Sequence, residues 1–64
     1  MHGTVREFDE AKGIGVIVSD DDRSFVFQCI EIADGSRDIA VGTAVDFALL
    51  PKLGRYEAAD IRSR

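Results

Sequence analysis

Few side chains in this sequence are placed to do chemistry, and none of them has a partner. His2 is the single histidine and Cys29 the single cysteine. A nucleophile needs a base within reach, and a metal needs several ligands, so neither residue can act alone. Asp20, Asp21 and Asp22 lie in direct succession. A calcium loop needs spaced oxygens, a glycine and a distal glutamate, so this run reads as a solvated turn. Gly13 and Gly15 flank Ile14 where no helix follows, which excludes a phosphate loop. No acid pair has a spacing suited to acid–base work. The chain is therefore expected to be non-enzymatic, with no cofactor and no metal. What remains is binding chemistry. Arg6 and Lys12 are cations able to meet phosphate, and Ile14, Val16 and Val26 form an apolar stripe. Patches of that kind mark interaction sites. Tyr56, next to Arg55, is either a base-stacking ring or a cover for one end of the fold.

These residues must be carried by strands. Gly and polar clusters recur at short intervals along the chain, which is the punctuation of short strands. Residues 3–8 form the first expected strand. Residues 14–18 are β-branched apart from Gly15 and form the second. Residues 24–30 alternate, with Phe25 and Phe27 on one face, Cys29 in the same period, and Val26 and Gln28 on the other. Residues 31–42 lack any sustained period and read as a long connection with room for one helical turn. Residues 43–50 place Val45, Phe47 and Leu49 on one side, with Pro51 closing the strand. Residues 55–61 are the expected fifth strand, with a helix over residues 56–64 as the alternative. The expected core is Val5, Ile17, Phe25, Phe27, Val45, Phe47, Leu49 and Ile61.

Length and composition bound the rest. Sixty-four residues make one domain, residues 1–64, with a thin core. Hydrophobic residues at 45% and charged residues at 31% describe a folded chain. No apolar run reaches the ~20 residues of a membrane span, and the N-terminus lacks a signal-peptide pattern. A lone cysteine fits a cytoplasmic protein. Twelve acids against eight bases give a net charge of −4, which argues against a generic basic nucleic-acid binder. Five short strands with one long crossing fit an all-β fold, a small five-stranded antiparallel OB-type barrel.

The run Gly3-Thr4-Val5-Arg6-Glu7-Phe8-Asp9, then Lys12-Gly13-Ile14-Gly15-Val16-Ile17, resembles the opening of the bacterial cold-shock domain in spacing, without a gap. Phe25-Val26-Phe27-Gln28 falls where that family has its second motif. Gly42, Val45 and Phe47 match its fourth strand, and Gly54 with Ala58-Ala59-Asp60-Ile61 matches its close. The resemblance covers essentially the whole chain. It implies a barrel that binds single-stranded DNA or RNA, with outward aromatic rings stacking on bases and adjacent lysines meeting phosphates.

The ring positions depart from that pattern while the barrel positions keep it. The family tryptophan is Glu7 here. The two phenylalanines of its first motif are Ile14 and Val16, and the phenylalanine and histidine of its second are Val26 and Gln28. Cys29 replaces a third phenylalanine. Phe8 stays aromatic, Arg6 replaces a lysine, and Lys12 is retained. Stacking contributes about 1–3 kcal/mol per base, so losing three platforms removes about 3–9 kcal/mol. Ile and Val restore part of that as apolar contact. The expectation is weak, largely sequence-independent binding through Arg6, Phe8, Lys12, Ile14, Val16, Val26 and Gln28. The alternative is a protein-interaction module, in which a second copy or another protein occupies the Ile14/Val16/Val26 face.

Overall fold

The computed structural model describes residues 1–64. Five strands follow in order: β1 (His2–Asp9), β2 (Ile14–Ser19), β3 (Ser24–Gln28), β4 (Ala44–Lys52) and β5 (Arg55–Ser63). They form one antiparallel sheet with neighbour order β3-β2-β1-β4-β5. The two end strands, β3 and β5, pack against each other as the sheet curls round. At this seam Ile32 bridges Ile61 in parallel, and Ala33 N–H donates to the Ile61 carbonyl at 2.8 Å. No continuous ladder joins β3 to β5, so the small OB-type barrel is open along one side. The chain has no helix long and apolar enough to cross a membrane.

The barrel closes around Val5, Ile17, Phe25, Phe27, Val45, Phe47 and Ile61, all buried as their alternation predicts. Phe25 and Phe47 pack at 5.7 Å with their rings tilted by 55°. The observed core departs from the expected one in three places, the first being Ala58, which is fully buried on β5. Leu49 is only half-buried and packs at the edge of the core, because β4 runs on past the start of β1. Ile32, which lies in the long connection, is buried as the residue that crosses the seam.

Two strand ends also differ from expectation. The third strand stops at Gln28, and Cys29–Glu31 form a 3₁₀ turn. The last β2 partner is Ile14, opposite Gln28, so Cys29 has no strand beside it. Its N–H instead donates to the Gly13 carbonyl at 2.7 Å. The fourth strand continues through Pro51 to Lys52, opposite Tyr56 and Arg55. Beyond Phe47 no strand flanks β4 on the β1 side, so Pro51 sits in an edge segment where proline is tolerated.

Two bulges bend the barrel. On β1, Val5 opposes Ile17 and Glu7 opposes Val16, which leaves Arg6 as the extra residue. On β5, Asp46 opposes Arg62 and Ala48 opposes Ala59, so the surplus falls at Asp60 and Ile61. Asp60 takes φ 49°, a left-handed conformation that aspartate tolerates better than most residues.

The β1 bulge has a direct steric consequence. It turns Phe8 inward, opposite Gly15, and Phe8 stacks on Phe27 across β2 at 5.9 Å with 5° between the rings. Gly15 leaves room for that stack. A Cβ there would lie 2.5 Å from Phe27 Cζ and 2.6 Å from the Glu7 carbonyl oxygen. Overpacking of this kind costs about 1–3 kcal/mol. Gly15→Ala is therefore expected to lower the urea unfolding midpoint by an amount equal to about 1–3 kcal/mol. An unchanged midpoint would contradict the stacking account.

The β2–β3 turn carries the aspartate run. Ser19 Oγ–H donates to Asp21, whose other oxygen accepts from Arg23 Nε at 2.8 Å. The Ser19 hydrogen bond is the larger reason that the Asp21 carboxyl lies below its ordinary value of 3.8, with Arg23 adding to it. A lowered folded-state value stabilises the fold fully above the unfolded value and is lost as pH falls through the folded one. The stability difference between wild type and Asp21→Asn is expected to be constant above pH ~5 and to shrink below pH ~4. Thermal melts across that range read it, and a difference that grows on acidification would contradict the assignment.

Candidate nucleic-acid interface

The outer surface of β1, β2 and β3 is ordered in rows by the strand register. Cross-strand partners share a face, so one row holds Glu7, Val16 and Val26 and the next holds Asp9, Ile14 and Gln28. Ile14 is 44% exposed and Val26 37% exposed, with Val16 half-buried between them. The three apolar side chains thus form one contiguous patch, as the sequence pattern predicts. An open depression of about 330 Å³ lies beside it, lined by Glu7, Asp9, Lys12, Ile14, Gly15 and Val16.

Lys12 reaches this surface from the β1–β2 turn, which is tightly built. Asp9 accepts twice, from Lys12 N–H at its side chain (3.2 Å) and from Gly13 N–H at its carbonyl (2.8 Å). Gly13 has φ 67°, and a Cβ there would lie 2.8 Å from Cys29 Sγ. Together with the Cys29–Gly13 hydrogen bond, this fixes the turn against the end of β3. Cys29 is a half-buried thiol packed against the core.

Arg6 and Glu7 together oppose Val16 in the bulge, and both are exposed. Neither Arg6 nor Lys12 forms an ion pair, and neither do Glu7 and Asp9. The depression therefore carries two carboxylates and one ammonium with no ion pair among them, the Asp9 carboxylate being held by the Lys12 N–H.

Of the residues expected to make the site, the structure brings Lys12, Ile14, Val16, Val26 and Gln28 onto one surface, with Arg6 in the bulge at its border. Phe8 is the exception. The resemblance puts Phe8 at the border of the outer face and Glu7 at the position of an outward ring. The extra residue at Arg6 turns Phe8 to the inner set and leaves Glu7 on the outer one. Sequence reasoning missed Asp9 as a lining residue for the same reason. A bulge leaves no signature in residue type, so the register alone reveals it.

The remaining chemistry-bearing residues lie elsewhere. His2 pairs with Asp46, which Arg64 also approaches at 3.6 Å. No group of three or more His, Cys, Asp or Glu side chains is placed to hold a metal ion. No family model matches the chain, and no curated protein matches it.

Proposed function

We propose that this chain binds single-stranded DNA or RNA weakly, with little sequence selectivity, across the outer face of β1, β2 and β3. The observation that carries this reading is the open Ile14/Val16/Val26 patch bordered by two unpaired cations, Arg6 and Lys12. Bases pack on the aliphatic patch, phosphates meet the two cations, and Gln28 supplies a polar contact at one end. The five-stranded barrel and the resemblance to cold-shock domains support the same reading, since OB-type barrels use their β2–β3 face for oligonucleotides. The activity needs no cofactor and no catalytic group. The chain acts in the cytoplasm on this reading.

Its weakness has two physical sources. Aliphatic side chains have no π-face, so the stacking of about 1–3 kcal/mol per base is replaced by smaller apolar contacts. Glu7 and Asp9 also repel phosphate. A carboxylate about 6 Å from a phosphate in water costs about 0.7 kcal/mol, or roughly threefold in affinity.

Glu7 and Asp9 favour a second reading. A depression with two carboxylates beside an apolar patch suits a protein partner that presents apolar and basic side chains. A second copy of the chain is one such occupant.

One titration separates these readings. Labelled oligo-dT and oligo-U at low salt are expected to bind in the micromolar range, with affinity falling as salt rises. Arg6→Ala and Lys12→Ala should each reduce the slope of log K against log salt by about 0.7. Glu7→Gln should tighten binding about threefold. No binding at high micromolar protein, or binding indifferent to both cation variants, would overturn the proposal. Sedimentation that shows a dimer disrupted by Val16→Asp would establish the second reading instead.

A further inference from the structure

The open depression beside the apolar patch is lined unevenly. Ile14, Gly15 and Val16 of β2 form its apolar side, and Glu7, Asp9 and Lys12 supply the polar lining. A volume of about 330 Å³ lies at the small end of ligand clefts, which suits one base and its sugar rather than a run of them. The register puts Glu7 in one row with Val16 and Val26, so its carboxylate stands at the end of that aliphatic row and on the same face.

The two carboxylates are not equivalent. Asp9 is committed to the β1–β2 turn, where its Oδ1 accepts from Lys12 N–H at 3.2 Å. The Glu7 side chain is exposed and has no hydrogen bond. It has no ion pair either, although Lys12 lines the same depression. The fold makes no use of this carboxylate. The depression thus combines an apolar wall, a free ammonium and an uncommitted group that only accepts hydrogen bonds.

A base packed on Ile14 and Val16 must therefore turn donors toward Glu7, because an ionised carboxylate donates none. Thymine and uracil have one ring N–H set between two carbonyl oxygens, and those oxygens repel a carboxylate. Cytosine and adenine each offer an amine N–H beside a ring-nitrogen lone pair. Guanine carries two adjacent donors, N1–H and N2–H, spaced to meet both oxygens of one carboxylate. Paired parallel hydrogen bonds of that kind are both strong and directional.

We infer that the depression is a guanine subsite, in which Glu7 accepts from N1–H and N2–H and Lys12 meets the adjoining phosphate. The inference rests on the proposed function and adds one point of base preference to a face otherwise indifferent to sequence. It gives Glu7 two opposite effects. Toward oligo-dT the carboxylate only repels phosphate, by about threefold in affinity. Toward guanine the paired hydrogen bonds outweigh that repulsion, since a good bidentate base contact discriminates by about 5- to 150-fold.

Fluorescence anisotropy at low salt tests this with three labelled heptamers. One is all thymidine, one has a single central deoxyguanosine, and one has deoxyinosine there, which lacks the N2 amine. Glu7 is exposed, so the low end of the discrimination applies. The guanine heptamer is expected to bind about fivefold more tightly than the all-thymidine one, with inosine between them. Glu7→Gln keeps the size of the side chain and removes its second acceptor oxygen. It should make the three heptamers bind alike, while tightening the all-thymidine one about threefold. Lys12→Ala should weaken all three and keep their order. A merely structural role for Glu7 would move the three together. Equal binding of the three by the wild-type chain, or a guanine preference that survives Glu7→Gln, would overturn the inference and leave the proposed function standing. Absence of binding to any heptamer at high micromolar wild-type protein would overturn both.

Discussion

The bulge at Arg6 is the constraint on which both the core and the candidate interface depend. One extra residue in β1 reverses the facing of everything after it. Phe8 goes inward and stacks on Phe27, which requires that Gly15, between them, have no side chain. Glu7 and Asp9 go outward and take their places beside Val16 and Ile14. The same backbone event that adds a ring to a thin core therefore puts two carboxylates on the outer face. Core and surface cannot be tuned independently here, because the side-chain period of a strand is 2.

The distribution of charge matters more than its sum. The chain has a net charge of −4, yet its ion pairs are not spread evenly. Arg23, Arg55, Arg62 and Arg64 each lie against an acid. Arg6, Lys12 and Lys52 do not, and these are the cations at the outer face and at the tip of the β4–β5 hairpin. Arg37, in the long connection, is the other unpaired one. Exposed ion pairs contribute roughly 0–1 kcal/mol each, so they do little for stability. The excess of acids persists among the unpaired groups, so any anion contact depends on where the few free cations stand and not on the sum.

Much of this was legible in the sequence, and the exceptions share a cause. The alternation of Phe25 with Phe27 and of Val45 with Phe47 placed four core residues, and the β-branched run at residues 14–18 placed β2. Alternation put Val26 and Gln28 on one face, and the spacing shared with the cold-shock motifs joined Ile14 and Val16 to them. Phe8 was placed by the resemblance, and the bulge that turns it inward leaves no mark in composition. Ile32 was missed because its burial depends on the seam, a contact between elements far apart in the chain. Pro51 reads as a strand end unless one knows that its segment of β4 has no neighbour on one side. In each case the missing information was tertiary.

The central claim is that the outer face of β1, β2 and β3 is where single-stranded nucleic acid binds. Two-dimensional amide NMR of the labelled chain, titrated with unlabelled oligo-dT at low salt, tests this residue by residue. The account predicts the largest shift changes at Lys12, Ile14, Val16, Val26 and Gln28, with the amides of Asp34 and Ser36 in the long connection unmoved. Changes confined to that connection, or none at millimolar oligonucleotide, would contradict it.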